Sequence, residues 1–92
     1  MGAFKVEMPP AIAESLKHLH PDLRRHIKQA LIAIAEDPAC GVMLLRELKG
    51  LYKFRVRRYR IVYEVVEKSR VVRILAIAHR ETVYRDVALM KK

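Results

Sequence analysis

Tyr52-Lys53-Phe54-Arg55-Val56-Arg57-Arg58-Tyr59-Arg60-Ile61-Val62-Tyr63 alternates basic and apolar residues over most of its length. A strand sends successive side chains to opposite faces, so this ribbon is apolar on one side and cationic on the other. With Arg57-Arg58 as a hairpin turn, Val56 lies opposite Tyr59, Phe54 opposite Ile61 and Tyr52 opposite Tyr63, all on one face. The same register sets Arg55 opposite Arg60 and Lys53 opposite Val62 on the other. Arg-Arg is an unusual turn, because two-residue hairpin turns favour glycine or asparagine. Folding alone gives little reason to crowd Lys49, Lys53, Arg55, Arg57, Arg58 and Arg60 together with no acid among them.

Working outward, Val71 to Ala78 is rich in β-branched residues, and Glu67-Lys68-Ser69-Arg70 is a polar connection suited to a second hairpin. Placing Val66 opposite Val71 brings Glu64 to Arg73 and Tyr63 to Ile74. Three antiparallel strands therefore run in succession. Beyond them, Val83, Val87 and Met90 keep helical spacing and predict a short C-terminal helix or turn.

Towards the N-terminus, Phe4-Lys5-Val6-Glu7-Met8 alternates and predicts a short strand with Phe4, Val6 and Met8 inward. Pro9-Pro10 ends it, and Pro10 suits the first turn of a helix. Ile12, Leu16 and Leu19 form one helical stripe. Leu23, Ile27, Leu31 and Ile34, with Ala30 and Ala35 beside them, form a second. Pro21 opens that second helix, Asp22 puts negative charge at the positive end of its dipole, and Asp37-Pro38 stops it. The short break at His20 predicts a helical hairpin, with Arg24, Arg25 and Lys28 on its outer side. From Ala39 to Gly50 the pattern is weak: Val42-Met43-Leu44-Leu45 reads as a helical turn or a buried stretch of loop. The fold class is α+β, one domain over residues 1–92. A helical hairpin packs on one face of a four-stranded, mostly antiparallel sheet, and the cationic rows lie on the other face, which is open.

The 92 residues suffice for one modest core. Lys and Arg number 19 against 10 Asp and Glu, a formal net charge of +9. This excess implies an anionic partner: nucleic acid, an acidic protein or a membrane surface. Cys40 is the only cysteine, which excludes an internal disulfide and fits a reducing cytosol. It reads as a small loop or core residue, not a nucleophile. No run approaches the ~20 apolar residues of a membrane-spanning helix, and Met1 to Lys5 carries no apolar leader. The expectation is a cytoplasmic protein.

The residues exclude much chemistry. There is no HExxH, Cys/His metal cluster, Walker loop, glycine-rich nucleotide turn or nucleophile elbow. His18 and His20 are two apart and do not converge on one helix face. What remains is the cationic face. Arg55 opposite Arg60 is a like-charge pair that costs energy unless an anion lies between them. Guanidinium groups match phosphate oxygens in pairs, and a lysine crowded by cations gives up its proton more readily. Such a cluster suits metal-free phosphodiester chemistry on RNA. One group takes the 2′-OH proton, arginines hold the charge developing on the phosphate oxygens, and an acid protonates the leaving 5′-oxygen. It equally suits plain binding of nucleic acid or an acidic protein.

Leu48-Lys49-Gly50-Leu51-Tyr52-Lys53-Phe54-Arg55-Val56, then Tyr59-Arg60-Ile61-Val62-Tyr63, then His79-Arg80-Glu81-Thr82-Val83-Tyr84 resemble the RelE/ParE superfamily of bacterial and archaeal toxins. The likeness covers nearly the whole chain. It implies the toxin of a type II toxin–antitoxin pair. In the RelE-like branch it implies an endonuclease that cuts mRNA in the ribosomal A site by 2′-OH attack, with no cofactor or metal. The implied partners are a cognate antitoxin, the ribosome and mRNA, with no membrane. By the same resemblance Lys53 and Arg55 match two basic residues of the first catalytic strand. Arg60 matches the arginine of the following strand, and Arg80 the arginine after the last one. Tyr84 matches a C-terminal tyrosine that stacks on a base or orients the 2′-OH. His79 is an acid or base in its own right, or a packing residue at a strand end. Arg55 departs from the family's frequent second lysine and scarcely deprotonates, so proton abstraction rests on Lys53 or His79. The ParE branch, which poisons DNA gyrase, generally lacks this cationic set, so the residues favour the RNase branch. Gyrase binding and simple nucleic-acid binding stand as the alternatives.

Overall fold

In the computed structural model, which describes residues 3–45 and 48–90, the alternating ribbon folds back on itself at Arg57-Arg58. Strands β3 (Leu51–Val56) and β4 (Tyr59–Val66) pair antiparallel. Their register sets Val56 opposite Tyr59, Phe54 opposite Ile61, Tyr52 opposite Tyr63 and Arg55 opposite Arg60. The apolar alternation allows only this register, because a slip of one residue would turn the arginines into the core. Strand β5 (Val71–His79) continues the meander, with Glu64 opposite Arg73 and Tyr63 opposite Ile74.

Strand β1 (Lys5–Glu7) adds to the far edge of β5, parallel to it. Between β1 and the meander come α1 (Pro10–Leu16) and α2 (Pro21–Glu36). Proline opens both helices. The His20 ring caps α2, its Nδ1 accepting from the Asp22 N–H at 3.1 Å. Met1 and Gly2, part of the leader reading, lie outside the described residues.

The weak segment resolves differently from the expectation. A single 3-10 turn at Pro38–Cys40 leads into a two-residue strand, β2 (Val42–Met43), on the free edge of β3. The sheet therefore has five strands in the order β1-β5-β4-β3-β2, not four. Val42 and Met43 alone could not announce a strand. Both are exposed at an edge, and pairing reaches only Lys53 and Tyr52.

Two apolar clusters sandwich the sheet. On one side α2 sends Ile27, Ala30 and Ile34 onto Val56, Ile61, Tyr63, Val72 and Ile74, with Phe4, Val6, Met8, Ile12, Leu16 and Leu19 packed around them. Burying each fully enclosed Ile or Val contributes about 1.5–3 kcal/mol. On the other side lies α3 (Val83–Met90). Its Val83 and Val87 are fully buried against Leu51, Val62 and Ala76. Met90, third in that spacing, lies in α3, and its side chain is outside the described set. The second face is thus not open, as expected from sequence, but roofed in part by the C-terminal helix. Leu51, Val62 and Ala76 make an apolar strip there, which needs cover.

The two clusters also expose a β-bulge. Ile74 pairs with Tyr63 and Ala76 with Val62, leaving Leu75 without a partner. Leu75 and Ala76 both pack on the α3 side, while Ile74 and Ile77 both pack on the α2 side. Alternation in β5 is therefore shifted by one residue at this point.

Candidate functional site

The register builds the cationic face row by row. Lys53, Val62 and Ala76 stand side by side across β3, β4 and β5, and Arg55, Arg60 and Ala78 form the adjacent row. These rows face the side that α3 covers, since Val62 and Ala76 contact its valines. No acid stands in either row. The acids of this face lie further along, where Arg73 donates to Glu64 at 2.8 Å and reaches Glu7 at 3.8 Å.

Arg60 is held from the turn. Its Nη1 donates to the carbonyls of Arg57 at 3.1 Å and Tyr59 at 2.9 Å. Arg80 arrives at the same turn, its backbone N–H donating to the Arg58 carbonyl at 2.8 Å. Tyr84, in the first turn of α3, packs half-buried on the cluster that contains Val62 and Ala76. Lys53, Arg55, Arg60, Arg80 and Tyr84, far apart in sequence, thus gather about one end of one sheet face. Ala78 beside Arg60 leaves room there that a larger residue would fill.

His79 does not join them. It pairs with Tyr59, whose neighbours in alternation face α2. The two rings meet edge-on at 5.9 Å. His79 Nδ1 accepts from the Glu81 N–H at 3.3 Å, so the ring finishes the strand. The bulge is the physical reason. Counting by two from Arg73, which shares the cationic face with Glu64, would put His79 among the arginines. The extra residue at Leu75 turns it to the other side.

Burial pushes the Tyr63 phenol well above the ordinary tyrosine range, with Cys40 adding to the shift. The ring is fully buried. Its hydroxyl donates to the Pro38 carbonyl at 2.7 Å and accepts from the Gly41 N–H at 3.1 Å. This pins the segment before β2. Only glycine fits at position 41, because a Cβ there would meet the Tyr63 oxygen at 2.5 Å and the Lys53 carbonyl at 2.6 Å. Burial, then the nearby Asp37 carboxylate, raises the Cys40 thiol above its usual value, which disfavours the reactive thiolate. Among the described residues no three His, Cys, Asp or Glu side chains converge to hold a metal. Nor is any helix there long and apolar enough to cross a membrane.

One feature of this end was not legible in the sequence. Arg57 has φ of +55°, and its guanidinium reaches back over the helix side to Asp22 at 3.0 Å. The unusual Arg-Arg turn was the sole signal.

This fold and this residue set have relatives. The curated protein "mRNA interferase toxin RelE" of Escherichia coli is 26% identical over 81 residues, 86% of this chain and 85% of that protein. The toxin–antitoxin complex RelBE2 from Mycobacterium tuberculosis contains a chain that matches with a TM-score of 0.75 and 27% identity. That match covers 87% of this chain and 94% of the other. A free-state mutant of Escherichia coli RelE matches in fold with a TM-score of 0.78 at 24% identity, over 96% and 97% of the two chains. The family model described as "ParE toxin of type II toxin-antitoxin system, parDE" matches residues 6–84. With a RelE-like fold, and with that model spanning most of its length, the chain belongs to the RelE/ParE superfamily of type II toxins.

Proposed function

We propose that this toxin is a ribosome-dependent mRNA endonuclease. The observation that carries the reading is Arg55 facing Arg60 across two strands, beside Lys53, with Arg80 and Tyr84 delivered to the same end of the face. Two guanidinium groups held opposite each other repel until an anion binds between them, and a phosphodiester carries the matching charge and geometry.

The chemistry follows from these positions. Lys53 takes the proton of a ribose 2′-OH as its oxygen attacks the adjacent phosphorus. Arg55 and Arg60 stabilise the negative charge that builds on the phosphate oxygens, an effect worth roughly 100- to 1,000-fold in rate for one preorganised donor. Tyr84 stacks on a neighbouring base or orients the 2′-OH, and Arg80 supports the departing strand. The bond to the 5′-oxygen breaks, that oxygen takes a proton from solvent, and a 2′,3′-cyclic phosphate remains. His79 has no part in this scheme. The ribosome supplies RNA placement, and orientation alone can lower a barrier by many kcal/mol.

The partner that restrains the activity is a cognate antitoxin. Structural relatives include toxins in complex with theirs, and a net charge of +9 favours an acidic segment laid over the basic face. Action on ribosomes would place the protein in the cytoplasm.

Programmed ribosomes test the reading. Purified toxin should cut mRNA within the A-site codon, and intact mRNA at saturating toxin would overturn the proposal. The family model's ParE description favours one other reading, inhibition of DNA gyrase. Gyrase-dependent DNA breaks, with mRNA left whole, would establish that reading instead.

A further inference from the structure

The turn between β3 and β4 joins two sides of the molecule. On the helix side, Arg57 Nη2 contacts Asp22 Oδ2 at 3.0 Å and His26 Nε2 at 3.4 Å. His26 Nδ1 in turn lies 2.7 Å from the Asp22 carbonyl oxygen. A carbonyl only accepts and a guanidinium only donates. The His26 ring must therefore carry its proton on Nδ1 and offer a lone pair to Arg57 from Nε2. Asp22 is also paired with Arg25. Slight burial would raise its carboxyl, but Arg25 and Arg57 outweigh that and hold it below the usual carboxylate range.

On the site side, the carbonyl of the same Arg57 receives Arg60 Nη1 at 3.1 Å. The next carbonyl, of Arg58, receives the Arg80 N–H at 2.8 Å. The direction of the Arg57 carbonyl depends on the left-handed backbone at Arg57, φ +55°. That conformation costs a residue with a Cβ roughly 1–2 kcal/mol. Glycine would adopt it freely, yet the chain has arginine there, and that side chain is tied to α2.

We propose that Asp22 and Arg57 form a latch that positions Arg60. The Asp22–Arg57 ion pair holds the turn in its left-handed form. The turn's carbonyl then fixes the Arg60 guanidinium on the opposite face of the sheet, towards the phosphate. Asp22, Arg57 and His26 touch no reacting atom; they are positioning residues. The proposal rests on the RNA-cleavage reading for its kinetic consequence, and on geometry alone for its structural one.

The test compares Asp22→Ala, Arg57→Ala and the double variant, with Arg25→Ala and Asp22→Glu as controls. Arg25→Ala removes the other partner of Asp22 and leaves the latch. In cleavage on programmed ribosomes, Asp22→Ala lowers the saturated rate about 10-fold while half-saturation moves less than twofold. Arg25→Ala stays within twofold of wild type, and Asp22→Glu recovers at least half of the loss. The double variant is no slower than Arg57→Ala, because both changes break one device. In parallel, the NMR resonance of the Arg60 Nε–H shifts in Asp22→Ala and not in Arg25→Ala. Three outcomes overturn the latch: an unmoved Arg60 resonance, additive rate losses in the double variant, or a loss confined to half-saturation. If wild type does not cleave at all, the functional reading fails and the latch is judged by the Arg60 resonance alone. A shift upholds it and an unmoved signal overturns it.

Discussion

Arg55 and Arg60 oppose each other across β3 and β4 with no acid in their row. Such a pair weakens the folded state when no ligand is bound, by roughly 0.2–1 kcal/mol. Arg55→Thr should therefore raise the melting temperature by a few degrees, since about 1 kcal/mol shifts a domain of this size by roughly 4–8 °C. The same variant should cut mRNA at least tenfold more slowly. Arg60→Ala should lose about 100-fold or more. Thermal melts and single-turnover cleavage check both, and a variant that is stabler and equally active would remove Arg55 from the site.

The face assignment separates Lys53 from His79. Lys53→Met should lower the saturated cleavage rate by about two orders of magnitude. His79→Gln should leave that rate within about threefold of wild type. The ring packs on Tyr59 at the strand end, so loss of that contact registers in stability instead. Rate measurements on the two variants, side by side, decide which residue takes the proton.

Tyr63 ties the segment before β2 to the sheet. Tyr63→Phe would strand the Pro38 carbonyl and the Gly41 N–H, at a cost of roughly 1–3 kcal/mol for groups left unsatisfied. The raised phenol also gives a pH signature. A group whose folded pKa lies above its unfolded value stabilises fully below the unfolded value, and that contribution falls as pH rises beyond it. Wild type should thus lose stability above the ordinary tyrosine range, and Tyr63→Phe should lose less. Urea unfolding from neutral to strongly alkaline pH measures the difference.

Asp22 titrates in the opposite sense. Its carboxyl is held below the usual range by Arg25 and Arg57. Its contribution is therefore complete above that range and disappears as pH falls through it. The stability gap between wild type and Asp22→Asn should be widest near neutrality and close under acid conditions. Paired melts at neutral and acid pH read the gap.

Helix α3 is held by two buried valines. Val87→Asp would bury an unpaired charge against Leu51, Val62 and Ala76, and should cost about 2 kcal/mol or more. The loss should fall on α3 first, so amide exchange in Val83–Val87 rises before exchange in β4.

Much of this architecture could be read directly from residues. The pairings of Tyr52, Phe54 and Val56 across the turn, and of Glu64 with Arg73, follow from alternation, because each strand shows two chemically distinct faces. Pro21 and Asp37-Pro38 mark the bounds of α2 for equally local reasons. Three features escaped. Val42 and Met43 make a strand only because β3 offers an edge. The cover provided by α3 depends on Leu51, Val62 and Ala76 meeting in one strip, which pairing creates. The side on which His79 falls depends on an unpaired residue that no pattern of hydrophobicity marks. The basic residues of the candidate site were legible by type and spacing, and their union with Arg80 needed the turn carbonyl of Arg58.

The bulge at Leu75 makes β5 sensitive to chain length more than to residue identity. Removing that one residue would restore strict alternation. The end of the strand would then rotate by half a turn, carrying His79 to the arginines and Ala78 inward. A single deletion could in this way add an imidazole to the phosphate-facing row, which no single substitution in β5 achieves without also displacing Ala78. Comparison with relatives in this strand should therefore count residues from the bulge, since one gap changes which side chain meets the RNA.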